Sequence, residues 1–415
     1  MTDFLNGRCL FVPRMGDDST RAFVAAFRSI GITASPVPPS DQRTLELGGR
    51  YSSGEECYPA RITLGDFLKV IQDVGPNRVA FFLPTASGPC RFGQYSHYLR
   101  NVLRDLGHED VPVFSPTSAD GYDGVAIDGN GFLRTGWRAL MATDILRKVL
   151  LRTRPYEVNP GEADNAYEAC LDDVSGALET PCANHRTRLK ILLEALCRSR
   201  DRLRAVPVRR SRRPLIGVVG EIFCRLNAFS NQDFVRRVEA HGGECWLSDI
   251  TEWISYTNQG QRDSLSAAGR RFSVAMGKAK MKDWIQERDR AALHEPFRED
   301  LRGYEEPHLS DVLERSAPYL PHRKALGEMV LNVGKAVYLW EKGAAGIADV
   351  SPFCCMNGIV CEAVYPRVSA EHEGIPIRVF YFGETRTDLD QDIGIFMDLA
   401  RTYEKGKTRG NASVK

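Results

Sequence analysis

Several absences narrow this sequence before any feature in it is read. No apolar run reaches the roughly 18 residues that a membrane-spanning helix needs. Residues 1–15 carry Asp3, Arg8 and Arg14 where a signal peptide would have its apolar core. Neither sign of charge dominates, since 55 Lys and Arg stand against 54 Asp and Glu. A global field for nucleic acid or a membrane surface is therefore not expected. Together these absences lead to the expectation of a cytoplasmic protein with no nucleic-acid and no membrane partner. The phosphate-binding Gly-x-x-x-x-Gly-Lys-Ser/Thr loop is missing, as are a Gly-x-Gly-x-x-Gly turn after a strand and a Gly-x-Ser-x-Gly elbow. That argues against a nucleotide site of the chain's own and against a serine-hydrolase nucleophile. There is no Cys-x-x-Cys pair either, which disfavours a zinc ribbon or a bacterial ferredoxin site.

Cysteine, in contrast, is plentiful. Eleven cysteines in 415 residues is high for a chain expected in a reducing compartment. There they are poor candidates for disulfides and better ones for metal or redox chemistry. The plain alternative is that they are small buried hydrophobes. Cys9, Cys170, Cys182, Cys197 and Cys245 fall in predicted strands or helices and are read as packing residues. The eight histidines are scattered. His97, on the helix predicted after Cys90, is better read as a solvated or packed side chain than as a ligand.

The length suggests two or three domains, and an apolar content of 43% is enough for each to bury a core. Strands predicted at Cys9–Val12, Val79–Leu83 and Val111–Phe114 alternate with helices ending near Ile30, over Leu64–Val74 and over Phe92–Leu106. This alternation predicts an α/β lobe over residues 1–150, doubly wound in the flavodoxin or Rossmann manner. A helical segment and a linker containing Arg209, Arg210, Arg212 and Arg213 follow over 151–213. A second α/β lobe is predicted over 214–405, with strands at Leu215–Val219, Glu244–Leu247, Gly346–Val350 and Ile377–Phe382. It carries a helical insertion at about 261–341, and 406–415 forms a polar tail.

Four cysteines share a kind of position. Cys90 and Cys355 each lie after a predicted strand and before a predicted helix. Cys224 follows the strand Leu215–Val219 through Gly220-Glu221-Ile222-Phe223, and Cys57 lies just upstream of a helix. In open α/β sheets ligands gather beyond the carboxyl ends of the strands. Helix N-termini offer unpaired N–H groups that stabilise thiolates and anionic clusters. Thiolates are the natural donors for iron–sulfur clusters. From the residues alone, a distributed cluster, buried thiols, zinc and a catalytic thiol all stay open.

The segments Ser53-Gly54-Glu55-Glu56-Cys57-Tyr58-Pro59, Gly88-Pro89-Cys90-Arg91-Phe92-Gly93-Gln94-Tyr95 and Pro352-Phe353-Cys354-Cys355-Met356-Asn357-Gly358 resemble the 2-hydroxyacyl-CoA dehydratase and benzoyl-CoA reductase superfamily. Within it they look most like the acyl-CoA dehydratase activase-related branch, which includes the double-cubane cluster proteins. Gly220-Glu221-Ile222-Phe223-Cys224-Arg225-Leu226-Asn227, with Phe229-Ser230-Asn231, fits the same branch, and the likeness runs from Val12-Pro13-Arg14-Met15-Gly16 to the last helix. Asn357 stands where the family usually has proline, which bears on the local turn.

The resemblance implies a [4Fe–4S] cluster between the two lobes, held by Cys57, Cys90 and Cys355. Glu55, Glu56, Arg91 and Tyr95 would lie around those ligands. Cys354 could substitute for Cys355 or supplement it. A double-cubane [8Fe–9S] cluster would draw further thiolates from Cys224, Cys354 and Cys361. The implied partner is an ATP-hydrolysing iron–sulfur activase that charges the cluster with low-potential electrons. The implied substrate is an acyl-CoA or another small molecule, reduced at the cluster as in the dehydratases or the double-cubane reductases. The alternative is a non-catalytic electron-transfer or cluster-carrying subunit. Homo- or hetero-oligomers are expected.

Overall fold

A computed structural model of the chain describes residues 5–86, 88–118, 122, 131–182, 184–323, 327–383 and 388–412, the last five in backbone only. The chain gathers into two compact units. The first takes residues up to 146 together with 166–202 and 250–298; the second takes 147–165, 203–249 and the chain from 299 onward.

The first unit holds a four-stranded parallel sheet of β1 (Cys9–Val12), β2 (Ala34–Pro36), β3 (Val79–Phe82) and β4 (Val113–Phe114), in the order β2-β1-β3-β4. In register, Leu10 pairs with Ala34 on one side and Ala80 on the other, and Phe81 pairs with Val113. All four β3 residues are buried, as the unbroken apolar run predicts for a central parallel strand. The Phe81 ring meets Phe67 of the helix Tyr58–Val74 at 4.2 Å between centroids. Two elements were not anticipated: β2, which is three residues long, and the helix Gln42–Arg50. That helix starts from a capping box, in which Asp41 accepts from the Thr44 amide at 2.9 Å and the Thr44 hydroxyl accepts from the Asp41 amide at 3.1 Å. It then packs backbone to backbone on Tyr58–Val74. A Cβ at Gly48 would run into the Arg61 carbonyl, and one at Gly65 into the Thr44 carbonyl. This close approach fixes the loop between the two helices, which ends at Cys57.

The second unit repeats the plan. Its parallel strands are β5 (Leu215–Gly220), β6 (Glu244–Leu247), β7 (Gly346–Pro352) and β8 (Ile377–Phe382), in the order β6-β5-β7-β8. Both sheets therefore have the flavodoxin-like order in which the chain reverses its direction of travel beside the first strand. Beyond the carboxyl ends of β1 and β3, and of β5 and β7, lie the crevices where such sheets bind ligands.

The helical segment expected within 151–213 is two helices, Glu162–Glu179 and His185–Arg204. Cys182 lies in the break between them rather than on a helix, with its thiol 3.0 Å from the Thr180 carbonyl. The helices Ile250–Ala267 and Val274–His294 belong to the first unit, while Leu309–Ser316 and Met329–Glu341 belong to the second. Among the described residues, no helix is long and apolar enough to cross a membrane.

Candidate functional site

In the first unit, Cys57 is the N-cap of Tyr58–Val74, with φ −69° and ψ 152° and proline following at Pro59. The helix starts six residues earlier than the periodicity from Leu64 suggested, so Cys57 sits directly on its N-terminus. The Cys57 Sγ and Tyr95 Oη are 2.5 Å apart. Cys90 caps the 3₁₀ turn Arg91–Gln94, with φ −68° and ψ 134°, and the helix Tyr95–Asp105 follows at once. The expected single helix from Phe92 is thus a tight turn and then a helix. Gly93 makes the turn possible, because a Cβ there would meet the Ala86 carbonyl at 2.5 Å.

Two side chains tie the cysteine loops together. The Arg91 guanidinium donates to the Glu55 carbonyl, and Tyr98 Oη donates to the Tyr51 carbonyl at 2.6 Å. The Glu56 carboxylate folds back on its own loop, accepting from the Ser53 amide at 2.9 Å and the Gly54 amide at 3.1 Å. Burial pushes that carboxyl up, but these donors outweigh it and hold Glu56 below the usual range. The Glu55 and Arg91 side chains are exposed, and so is His97.

In the second unit, Cys355 is the N-cap of Met356–Glu371, with φ −68° and ψ 125°. Cys354 precedes it in the left-handed region at φ +61° and is exposed. Of the pair, Cys355 is therefore the one at the helix N-terminus. Cys224 lies in the short helix Ile222–Leu226 and is fully buried. Its carbonyl accepts from Asn231 Nδ2 at 2.9 Å, which accounts for the nearby Ser230-Asn231 motif. Cys361 is buried inside Met356–Glu371. No disulfide joins any of the eleven cysteines.

Sequence reasoning missed the acidic surroundings of these thiols. Glu221 caps the short helix, accepting from the Phe223 amide at 3.0 Å and the Cys224 amide at 2.8 Å. Glu328 accepts from the Ile222 amide at 3.0 Å. Asp349, in the middle of β7, accepts from Ser351 Oγ and Tyr365 Oη, both at 2.6 Å. Burial raises all three carboxyls, and Glu221 raises Glu328 further. Burial also pushes up the thiols of Cys224 and Cys355, with Glu221 adding to both, and that of Cys361, with Asp349 adding to it. The backbone amides of Gly358 and Asn357 act the other way on Cys355. Without a bound cation, this interior keeps its thiols protonated. One signal was readable in advance: an Asp in the otherwise apolar Gly346–Val350 run must be buried with partners.

Cys57 and Cys90 thus belong to one unit and Cys355, Cys224 and Cys361 to the other. Among the described residues, no three or more His, Cys, Asp or Glu side chains form a ready metal-binding group. A scan against protein-family models finds no match for the chain, and a search of curated proteins finds none. The family resemblance therefore rests on the motifs themselves.

Proposed function

We propose that this chain is an iron–sulfur protein that takes low-potential electrons from an ATP-hydrolysing activase and passes them to an acyl-CoA or other small-molecule substrate. The observation that carries this reading is the shared setting of Cys57, Cys90 and Cys355. All three cap a helical N-terminus, with φ between −69° and −68° and ψ between 125° and 152°. N-caps are normally Ser, Thr, Asp or Asn. Cysteine at three of them is better explained by thiolate ligation, where unpaired amides offset the negative charge. The donor set, all thiolate, fits iron.

In this reading Cys57, Cys90 and Cys355 hold a [4Fe–4S] cluster, which when bound supplies one-electron reducing power at an iron that cysteine does not hold. Tyr95 orients Cys57, and Arg91 keeps the two cysteine loops of the first unit in register. The raised thiol of Cys355 releases its proton as iron binds, because a metal reverses the local electrostatics. Complete burial of Cys224 and Cys361 supports leaving them as packed thiols, and so one cubane rather than [8Fe–9S].

A second reading, a cluster carrier without its own substrate, draws on Phe353 and Ile359. These are 67% and 53% exposed on either side of Cys354-Cys355, and an apolar rim of that kind suits docking to another protein. The two are separated by assaying the reconstituted chain with an activase, ATP and a reductant. Bleaching of the cluster absorbance only when ATP is present is expected, with no ATP turnover by the chain alone. Turnover by the pure chain, or reduction independent of ATP, contradicts the proposal. Re-oxidation by an added 2-hydroxyacyl-CoA favours the enzyme over the carrier.

A further inference from the structure

The helices Ile250–Ala267 and Val274–His294 pack on each other as a hairpin. Asn258 Nδ2 donates to Gln286 Oε1 at 2.6 Å, and Arg262 pairs with Asp283. The second helix buries Met276, Ala279, Asp289 and Leu293. Its opposite face is apolar but uncovered: Val274 is 79% exposed, Met281 56% and Trp284 58%. Seven and then three residues separate them, so they form one stripe along the helix. At its start stands Phe272, in the connection between the helices, which is 98% exposed. A fully exposed phenylalanine beside three further large apolar side chains is too much for an ordinary soluble surface.

Every charged residue between Asp263 and Asp283 is basic. Arg270, Arg271, Lys278 and Lys280 are exposed and make no ion pair among the described residues. Arg288 lies 5.7 Å over the Trp284 ring. The chain as a whole is balanced at +1, so this is a local field that the net charge conceals.

We propose that this hairpin end docks on an anionic lipid surface, with Phe272 and Val274 entering the headgroup layer and Trp284 resting at its boundary. Charge complementarity requires an anionic partner. The apolar set projects from a hairpin end rather than lining a groove. A headgroup layer yields around such a projection, whereas a folded partner would need a matching cavity. Aromatic side chains interleaved with Lys and Arg are the composition of interfacial segments, and an apolar insertion together with a basic rim supplies the two signals that peripheral attachment needs.

The test is co-sedimentation of the full chain with vesicles of phosphatidylcholine alone and of an equal mixture with phosphatidylserine. Binding to the mixed vesicles only, weakening as salt rises, is expected. Lys278→Gln with Lys280→Gln should weaken it about twenty-five-fold, at about fivefold per cation. Phe272→Ser should weaken it by about tenfold or more. Both variants replace exposed side chains, and an unchanged circular dichroism melt confirms that they fold. The proposal is overturned if the chain ignores phosphatidylserine at low salt, or if both variants bind like the wild type. It is equally overturned if the same residues instead govern binding to a single-stranded oligonucleotide or to an acidic protein while vesicles stay unbound.

Discussion

Replacing Glu306 with glutamine should cost the second unit about 3–5 kcal/mol, because it breaks a closed buried charge network. Glu306 Oε1 accepts from Lys148 Nζ at 2.5 Å and from Trp246 Nε1 at 2.9 Å, and Oε2 accepts from Lys335 Nζ. Lys148 also reaches Asp249 Oδ2 at 3.1 Å. The side chains of Lys148 and Lys335 keep 3% and 1% of their surface, and those of Asp249 and Glu306 keep 5% and 8%. Two cations thus balance two anions out of water. Glutamine preserves the shape, but it leaves one buried ammonium uncompensated and turns an N–H donor toward a donor. With a urea slope of about 2–3 kcal/mol per molar, the midpoint should fall by about 1–2 M. Tryptophan fluorescence can follow it, since the Trp246 indole stacks on Tyr304 at 4.7 Å. Burial pushes the Glu306 carboxyl up, yet the Lys148 and Lys335 charges outweigh it and hold it far below the usual glutamate range. This stabilisation is present above the unfolded pKa of about 4.3 and is lost only as pH falls through the lower folded value. The gap between wild type and variant should therefore be largest near neutrality and close in strong acid. A loss below about 1 kcal/mol, or a gap insensitive to acid, refutes the reasoning; Glu306→Leu with Lys335→Met should recover much of it.

Burial pushes the Asp66 carboxyl up to about 6, despite hydroxyl donors from Thr44 and Ser40 at 2.7 Å. Its contribution is present below the unfolded value of about 3.9 and lost as pH rises through about 6. Asp66→Asn should remove that slope from urea unfolding, and an unchanged slope contradicts the assignment. Gly220 has φ +124°, and a Cβ there would strike the Val350 backbone, so Gly220→Ala should cost more than about 2 kcal/mol. A melting temperature like the wild type's would show that the end of β5 is not so constrained. Tyr95→Phe should keep the fold and lower the cluster potential by on the order of 50 mV, because one hydrogen bond to a ligand sulfur is lost. A redox titration showing no shift argues against Tyr95 acting through Cys57.

Strands with continuous apolar runs were readable in the sequence, and β1, β6 and β8 fall on their expected bounds. β1 and β6 are buried along nearly their whole length, which leaves that pattern, whereas the edge strand β8 buries only Phe380 and Phe382. β2 was not readable, because three residues ending in proline carry no periodicity. The helix Gln42–Arg50 was hidden because its two closing glycines read as a breaker, whereas one of them serves the close contact with Arg61. The start of Tyr58–Val74 was missed for a related reason: Pro59 looks like a stop but is favourable in a first helical turn. Val274–His294 lies within the insertion read at about 261–341 in the second lobe but falls in the first unit, since which unit a helix packs on depends on contacts distant in sequence. The cysteine positions were legible because strand, turn and helix signals bracket them. The carboxyls of Glu221 and Glu328 were not, because their burial depends on residues about a hundred positions apart. The local charge of the hairpin end was lost in the sum over the whole chain.

Iron and sulfide analysis with EPR on anaerobically reconstituted protein decides whether Cys57, Cys90 and Cys355 hold a cluster, with wild type beside Cys57→Ser, Cys90→Ser, Cys355→Ser and Cys224→Ser. About four iron and four sulfide per wild-type chain and a reduced-cluster signal are expected. Both should collapse in the first three variants and stay unchanged in Cys224→Ser. Loss of about half the iron in Cys224→Ser would mean a double cubane, and a wild-type chain that binds no iron, or binds it equally without Cys57, Cys90 and Cys355, would contradict the account.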